Sequence, residues 1–404
     1  MNVRIKRLDD YGRGIGLIND KITFINNALI DELIEYEIVK VYKNYNIARN
    51  LRVLEKSTSR VNPPCAYYYI CGGCNLEHLD FVSENNFKKE KVKNIFRRYA
   101  LIDIGEVDII SSEDYHYRNK ITLHVKDNHL GLVEEKTNNL VNIDKCLLID
   151  NKLNNIIEVL QNIGTYEKIE TIMLRVGNKT EEVMLYIKGE LEDYKRLLNI
   201  TDSLIINDKI YNKEYITSFI GNKKFHVRRE SFMQVNNSIC EALYEETKNI
   251  IKKLNSKNVL DLYSGIGTIS IYISDVVDSV LGVEVVPSAT VDANENKKIN
   301  DASNVKFING KVEEKIANIK NIENYDTIIL DPPRSGVNKK VREVLKEKKI
   351  NNIIYISCDP FTLARDIKDL KEVYDLKYIK LFNMFPRTYH VECLTLLSLK
   401  ALEK

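Results

Sequence analysis

No window of this 404-residue chain approaches 18 uncharged apolar residues, the length needed for a helix that crosses a membrane. The opening Met1-Asn2-Val3-Arg4-Ile5-Lys6-Arg7 has none of the apolar core of a secretory signal. Net charge is almost absent: 60 Lys and Arg against 58 Asp and Glu leave +2. So small a balance neither favours nor excludes a nucleic-acid partner. Internal repeats and low-complexity tracts are missing, so the chain is not read as a repeat array. Cysteines are few and odd in number: Cys65, Cys71, Cys74, Cys146, Cys240, Cys358 and Cys393. Without a signal, that count argues against a disulfide framework and leaves metal binding or catalysis. The expectation is a cytoplasmic protein with no membrane partner.

A hydrophobic content of 44% and a charged content of 29% describe a globular protein, too long for a single ordinary core. Lys88, Lys89, Lys91, Lys93, Arg97 and Arg98 crowd one predicted helix, and Arg228 and Arg229 precede the last third. A solvated helix face is the plainer reading of such a run.

Residues 1–58 read as about five short strands broken by turns, which predicts a small OB-like barrel. Pro63-Pro64 marks a boundary, followed by a cysteine-bearing segment and a helix near 83–100 with Ser83 as its cap. Residues 109–230 mix strands and helices without a clean period. Beyond 231 the pattern becomes regular. Strands at 258–263, 279–284, 305–308, 326–331 and 352–357 alternate with helices at 266–276, 287–300, 337–348 and 361–370. That alternation makes a parallel sheet with helices on both faces. Two last strands, near 377–382 and 391–400, are joined so briefly that they should pair antiparallel.

The first of these strands runs into Tyr263-Ser264-Gly265-Ile266-Gly267-Thr268, a dinucleotide-type turn without the third glycine of the full fingerprint. Alone, two glycines are only a tight turn. Glu284 ends the next strand, where a carboxylate can accept hydrogen bonds from ribose hydroxyls; NAD or S-adenosylmethionine (SAM) fits so far. Asp331-Pro332-Pro333-Arg334 tips the choice to SAM, because an acidic residue before rigid prolines at that edge is a feature of base methyltransferases. Arg334 stands where amino-methyltransferases place an aromatic, which argues against adenine N6 chemistry.

A lone cysteine is usually a small buried hydrophobe. Cys358 departs from that default because it follows the fifth strand, at the edge where open α/β sheets keep their chemistry. In the methyltransferase sheet order the last strand inserts antiparallel beside the fifth, which puts Glu392 next to Cys358. Thiolate addition at carbon 6 of uracil makes carbon 5 nucleophilic, and a carboxylate then removes the carbon-5 proton. Cysteine suits this step because it is partly ionised near neutral pH. A solvated strand end is the plainer account of Glu392.

Cys65-x5-Cys71-x2-Cys74, with Gly72-Gly73 inside and Cys146 distant, forms a four-thiolate set. Tetrahedral zinc and a [4Fe–4S] cluster both accept four thiolates. The C-x3-C-x2-C pattern of radical enzymes is not met.

Together these residues resemble the RNA uracil-C5 methyltransferases, in particular the iron–sulfur, TRAM-bearing branch that acts on 23S ribosomal RNA. The similarity covers nearly the whole chain. It implies a multidomain α/β protein: an OB-like TRAM β-barrel over 1–58, an α+β central RNA-binding domain over 59–230, and a Rossmann-like class I methyltransferase domain over 231–404. It implies SAM contacts from Gln234, in Ser231-Phe232-Met233-Gln234-Val235-Asn236, and from Tyr263, Glu284 and Asp331, with Thr268 and Gly265 on the loop. Cys65, Cys71, Cys74 and Cys146 match the cluster ligands, and Tyr117-Arg118-Asn119-Lys120 becomes an RNA-contact segment. Ser357-Cys358-Asp359-Pro360 matches the nucleophile motif, and Phe385-Pro386-Arg387-Thr388-Tyr389-His390-Val391-Glu392 the base motif. In the third turn of the TRAM domain the usual Pro-Gly-Glu reads Ile30-Asp31-Glu32. The transfer RNA branch lacks the TRAM domain and the cysteines, so their presence points to 23S ribosomal RNA, modified by a monomer. The alternatives are uracil methylation of transfer or other RNA, and a non-catalytic RNA-binding module on the same fold.

Overall fold

The computed structural model describes residues 1–135, 137–162 and 166–401. An N-terminal sheet of six strands, one more than expected, runs in the order Asn2–Arg4, Leu33–Val41, Tyr45–Glu55, Lys21–Ile25, Gly14–Ile18, Arg7–Leu8. Alternate residues point inward, as the period of two demands, and Val3, Ile5, Ile25, Ile34 and Ala48 form its core. Asp31 adopts the left-handed φ of 68°, where glycine is unstrained. Glu32 is buried and accepts from the backbone of Leu29 and Ser57 and from the Arg60 guanidinium, fastening the following segment to this sheet.

A seven-stranded sheet spans Lys120 to Ile210, and the hairpin Ile216–Ile220/Lys223–Val227 follows. The last sheet has eight strands: Val305–Asn309, Ser279–Glu284, Asn258–Leu262, Thr327–Leu330, Asn352–Ser357, Glu392–Leu399, Tyr374–Phe382 and Ile109–Ile110. The first five are parallel, and Glu392–Leu399 lies antiparallel between Asn352–Ser357 and Tyr374–Phe382. These parallel strands are apolar on both faces because helices cover both. Leu260, Leu262, Ile328 and Ile353 point to one face, Val259, Ile329, Ile354 and Ile356 to the other. Burying each such side chain contributes roughly 1.5–3 kcal/mol, so this sheet is the rigid platform of the molecule.

Two corrections concern the helices. The early helix spans Phe81–Ile95, and its cap is Asp80 rather than Ser83: the Ser83 amide donates to Asp80 Oδ1 at 2.9 Å. A carboxylate there satisfies a free amide and opposes the positive end of the helix. Its basic run is a solvated face only in part: Arg97 and Arg98 are exposed and Lys89 and Lys93 half-buried, but Lys88 and Lys91 are only 0% and 6% exposed. Val92, Ile95 and Phe96 enter the core of the eight-stranded sheet with Leu363 and Ile367. The segment 81–110 thus packs with a sheet most of whose strands lie some 150 residues or more further along the chain. A helix at Asn237–Leu254 escaped the sequence reading altogether.

Candidate active site

The glycine turn follows the strand Asn258–Leu262 for two separate reasons. Gly267 has φ +82°, and a Cβ there would meet the Phe307 ring at 2.5 Å. Gly265 has φ +54° with open space where its Cβ would lie. Tyr263 also takes a left-handed φ of 69°, a costly conformation for an aromatic residue. Glu284, 8% exposed, clamps the turn: Oε2 accepts from the Gly265 amide at 2.9 Å and Oε1 from the Val286 amide at 2.7 Å. Each oxygen keeps a lone pair for a further donor. Thr268 Oγ1 is engaged with the Tyr244 hydroxyl at 2.9 Å.

Gln234 lies buried in a segment held from three sides. Asn119 Nδ2 donates to the Gln234 carbonyl at 3.0 Å, Arg175 Nη2 to the Ser231 carbonyl at 2.9 Å, and Ser231 Oγ to Asp292 Oδ2 at 2.8 Å. Asn119 and Tyr117 are both buried, so half of the segment expected to contact RNA is internal scaffolding. Arg118 and Lys120 remain partly exposed.

Across the antiparallel pair, Ser357 is opposite Cys393. Cys358 directly follows the end of one strand and Glu392 opens the other, so the two flank the last pair of the ladder, Ser357 and Cys393. Cys358 is half-buried and Glu392 is 2% exposed. Burial, then the Glu392 charge, pushes the Cys358 thiol up to about 12, against the opposing pull of Arg334. Burial and then Asp331 push the Glu392 carboxyl well above the usual range. Asp331 itself is raised to about 7 by burial and by Asp261. The expectation of a partly ionised resting thiol is therefore corrected: acidic groups crowded in one apolar site cannot all carry charge.

Asp261, overlooked in the sequence, is 1% exposed and raised to about 7, chiefly by burial. Its Oδ2 accepts from Ser270 Oγ at 2.5 Å, while Oδ1 has no partner. A carboxylate inside an apolar strand was the signal available. His390, lowered to about 4 by burial and then by Arg334, Lys91 and Lys88, is a neutral imidazole beside the base segment.

Cys65, Cys71, Cys74 and Cys146 line one cavity of about 720 Å³ together with Arg118, Lys120 and the Phe232–Met233 turn. Among the described residues no three His, Cys, Asp or Glu side chains converge closely enough for a single metal ion, so a tetrahedral zinc site is not preformed. The buried Glu77 carboxyl faces the same cavity, and neither of its oxygens has a partner.

Residues 197–400 match the pattern of the tRNA (Uracil-5-)-methyltransferase family. An uncharacterized RNA methyltransferase of Clostridium tetani is 32% identical, over 98% of this chain and 96% of the relative. The chain belongs to that family. It is a SAM-dependent RNA methyltransferase. A counterpart in Clostridium acetobutylicum, likewise named as an uncharacterized RNA methyltransferase, is 33% identical over 97% of this chain and 96% of its own length. Among solved structures, the Pyrococcus abyssi tRNA (uracil-54, C5)-methyltransferase in complex with S-adenosyl-L-homocysteine (SAH) superposes with a TM-score of 0.83. The two are 26% identical, and the match covers 98% of this methyltransferase and 100% of the archaeal chain. That coverage removes one sequence argument: a full-length architecture with the N-terminal sheet does not by itself point away from transfer RNA.

Proposed function

We propose that this methyltransferase modifies carbon 5 of a uridine in 23S ribosomal RNA through a covalent adduct on Cys358. The observation that supports the reading is the strand register, whose last pair, Ser357 and Cys393, is flanked by Cys358 and Glu392, with Asp331 close enough to influence both. Bound SAM supplies a methyl group on a sulfonium cation. Gln234, Tyr263, Glu284, Asp331, Thr268 and Gly265 would hold it, Glu284 being fixed by the two backbone amides whose hydrogen bonds it accepts.

Cys358 gives its thiol proton to water and its Sγ adds to carbon 6 of the uracil ring, leaving an enolate whose carbon 5 is electron-rich. Burial holds the Glu392 carboxyl protonated at rest, so it first gives that proton up; once carbon 5 is methylated, the Glu392 carboxylate takes the proton from carbon 5, and the electron pair of that C–H bond restores the ring double bond as Sγ leaves. Arg334 is the cation that offsets charge on Cys358 and Glu392. The four cavity thiols are read as ligands of a [4Fe–4S] cluster. All four line one cavity but do not converge as they stand, so a cluster there would have to draw the 65–74 loop and Cys146 together.

A second reading, transfer RNA as substrate, is favoured by the likeness to the Pyrococcus abyssi enzyme. One comparison decides between them. Ribosomal and transfer RNA from a strain lacking the protein are digested and assayed for 5-methyluridine by mass spectrometry. Loss confined to 23S RNA supports the first reading; loss confined to transfer RNA replaces it. In vitro, Cys358→Ala should bind RNA without methylating it, and normal product yield from that variant would refute the nucleophile.

A further inference from the structure

Lys88, in the helix Phe81–Ile95, is fully buried, yet its ammonium has no unused proton. Its three donors go to Glu84 Oε1 at 2.7 Å, Asn383 Oδ1 at 2.6 Å and the Phe385 carbonyl at 3.1 Å. Glu84, also fully buried, accepts from the Arg387 amide through both oxygens at 3.1 Å and from Asn383 Nδ2 at 3.2 Å. One helical turn further on, Lys91 Nζ donates to the Tyr389 carbonyl at 2.8 Å. Every backbone target of these charges lies between Phe385 and Tyr389, the turn that leads into Glu392.

That turn needs help. Arg387 sits at φ +66°, which costs an L-residue about 1–2 kcal/mol relative to its ordinary conformations. A charge-assisted bond from its amide to Glu84 offsets such a cost. Two buried charges are a poor way to stabilise a core, since apolar residues of equal volume usually do as well. Their geometry here serves a place rather than a fold: apart from the Lys88–Glu84 bond within the helix, the hydrogen bonds cross from that helix to the 383–389 segment.

We propose that the Glu84–Lys88 pair is a positioning device for the catalytic base, holding the Phe385–Tyr389 turn so that Glu392 meets the carbon-5 proton. The inference rests on the covalent mechanism above. Lys88 and Glu84 touch neither substrate nor cofactor and act through the turn. Because the Arg387 carbonyl also accepts from the Asn75 and Leu76 amides, the same turn ties the base to the residues just after Cys74.

The test uses the full-length protein, radiolabelled SAM and total RNA from a strain lacking the protein. Lys88→Met should lower kcat about 100-fold, the scale of a small misplacement of a reacting group. RNA and SAH affinity should stay unchanged, and a protein–RNA adduct that survives a denaturing gel should accumulate, because thiol addition outruns proton removal. A purely structural role would lower Tm while leaving turnover per folded molecule at the wild-type level with no adduct, and that result overturns the proposal. Should the single variant fail to fold, the volume-matched pair Glu84→Leu with Lys88→Met replaces it and is read by the same criteria. Glu392→Gln is the control. If it traps no adduct, the covalent reading fails; if it traps one while Lys88→Met turns over normally, only the positioning role fails.

Discussion

The Tyr117 hydroxyl donates to the Pro386 carbonyl at 3.1 Å, joining the entrance of the seven-stranded sheet to the segment that carries Glu392. Two residues on, Asn119 holds the Gln234 segment. One short stretch leading into the middle sheet therefore touches both the segment before Glu392, the proposed base, and the Gln234 segment proposed for the cofactor. Tyr117→Phe removes the donor but leaves a buried carbonyl unsatisfied, a loss of about 1–3 kcal/mol. Urea unfolding of the two proteins measures it, and an unchanged midpoint would show that water replaces the bond.

The two glycines of the turn proposed for the cofactor should separate stability from binding. Gly267→Ala meets both a left-handed φ and the Phe307 ring, so it should destabilise by about 2 kcal/mol or more. Gly265→Ala meets only the backbone cost of about 1 kcal/mol, but its methyl projects into open space proposed for the cofactor. Thermal melts and SAH titration calorimetry on both variants give the contrast, with the larger affinity loss expected at Gly265.

Glu284→Ala frees the Gly265 and Val286 amides and deletes the carboxylate proposed for the ribose. SAH affinity should fall by at least about tenfold, the scale of one lost charge-assisted hydrogen bond. Equal affinity would move the ribose site elsewhere.

Asp261 and Asp331, both raised to about 7, bind protons in the folded protein that the unfolded chain releases near pH 4. Their contribution to stability is therefore greatest below pH 4 and declines as pH rises towards 7. Above 7 Asp331, the one of the two proposed to contact the cofactor, is charged and attracts a sulfonium. SAM affinity should increase from pH 6 to pH 8, while SAH, which lacks that cation, should change less. Parallel pH profiles for the two ligands would remove that carboxylate from the site.

If the four cavity thiols hold a cluster, protein purified without oxygen should contain about four iron and four sulfide per chain. Cys71→Ser should lower that content and also loosen the 65–74 loop, read by proteolysis. Stoichiometric zinc in place of iron would overturn the assignment.

Much of the eight-stranded sheet was legible because its signals are local. The apolar run at 352–357 and the antiparallel last strand appear where the pattern put them, and the observed strand is Asn352–Ser357. The helix Asn237–Leu254 was also written in the sequence, with Ile239, Leu243, Ile250 and Ile251 at helical spacing, but it follows a stretch without a clean period. Lys88 was not legible. Charged residues default to solvent, and its partners Asn383 and Phe385 stand 295 and 297 positions away. For the same reason Tyr117 and Asn119 looked like exposed contacts when they are internal struts.

Composition and spacing alone determined the chemical inventory: the glycine turn, the acidic strand ends, the four thiols, and one cysteine and one glutamate at opposite ends of the last motifs. Those are properties of neighbouring residues, set by propensity and periodicity. Tertiary structure decided which groups meet and which of them can carry charge. Strand register is a long-range pairing, and the protonation of Cys358, Glu392 and Asp331 follows from how much water and how many like charges surround them once the chain has closed.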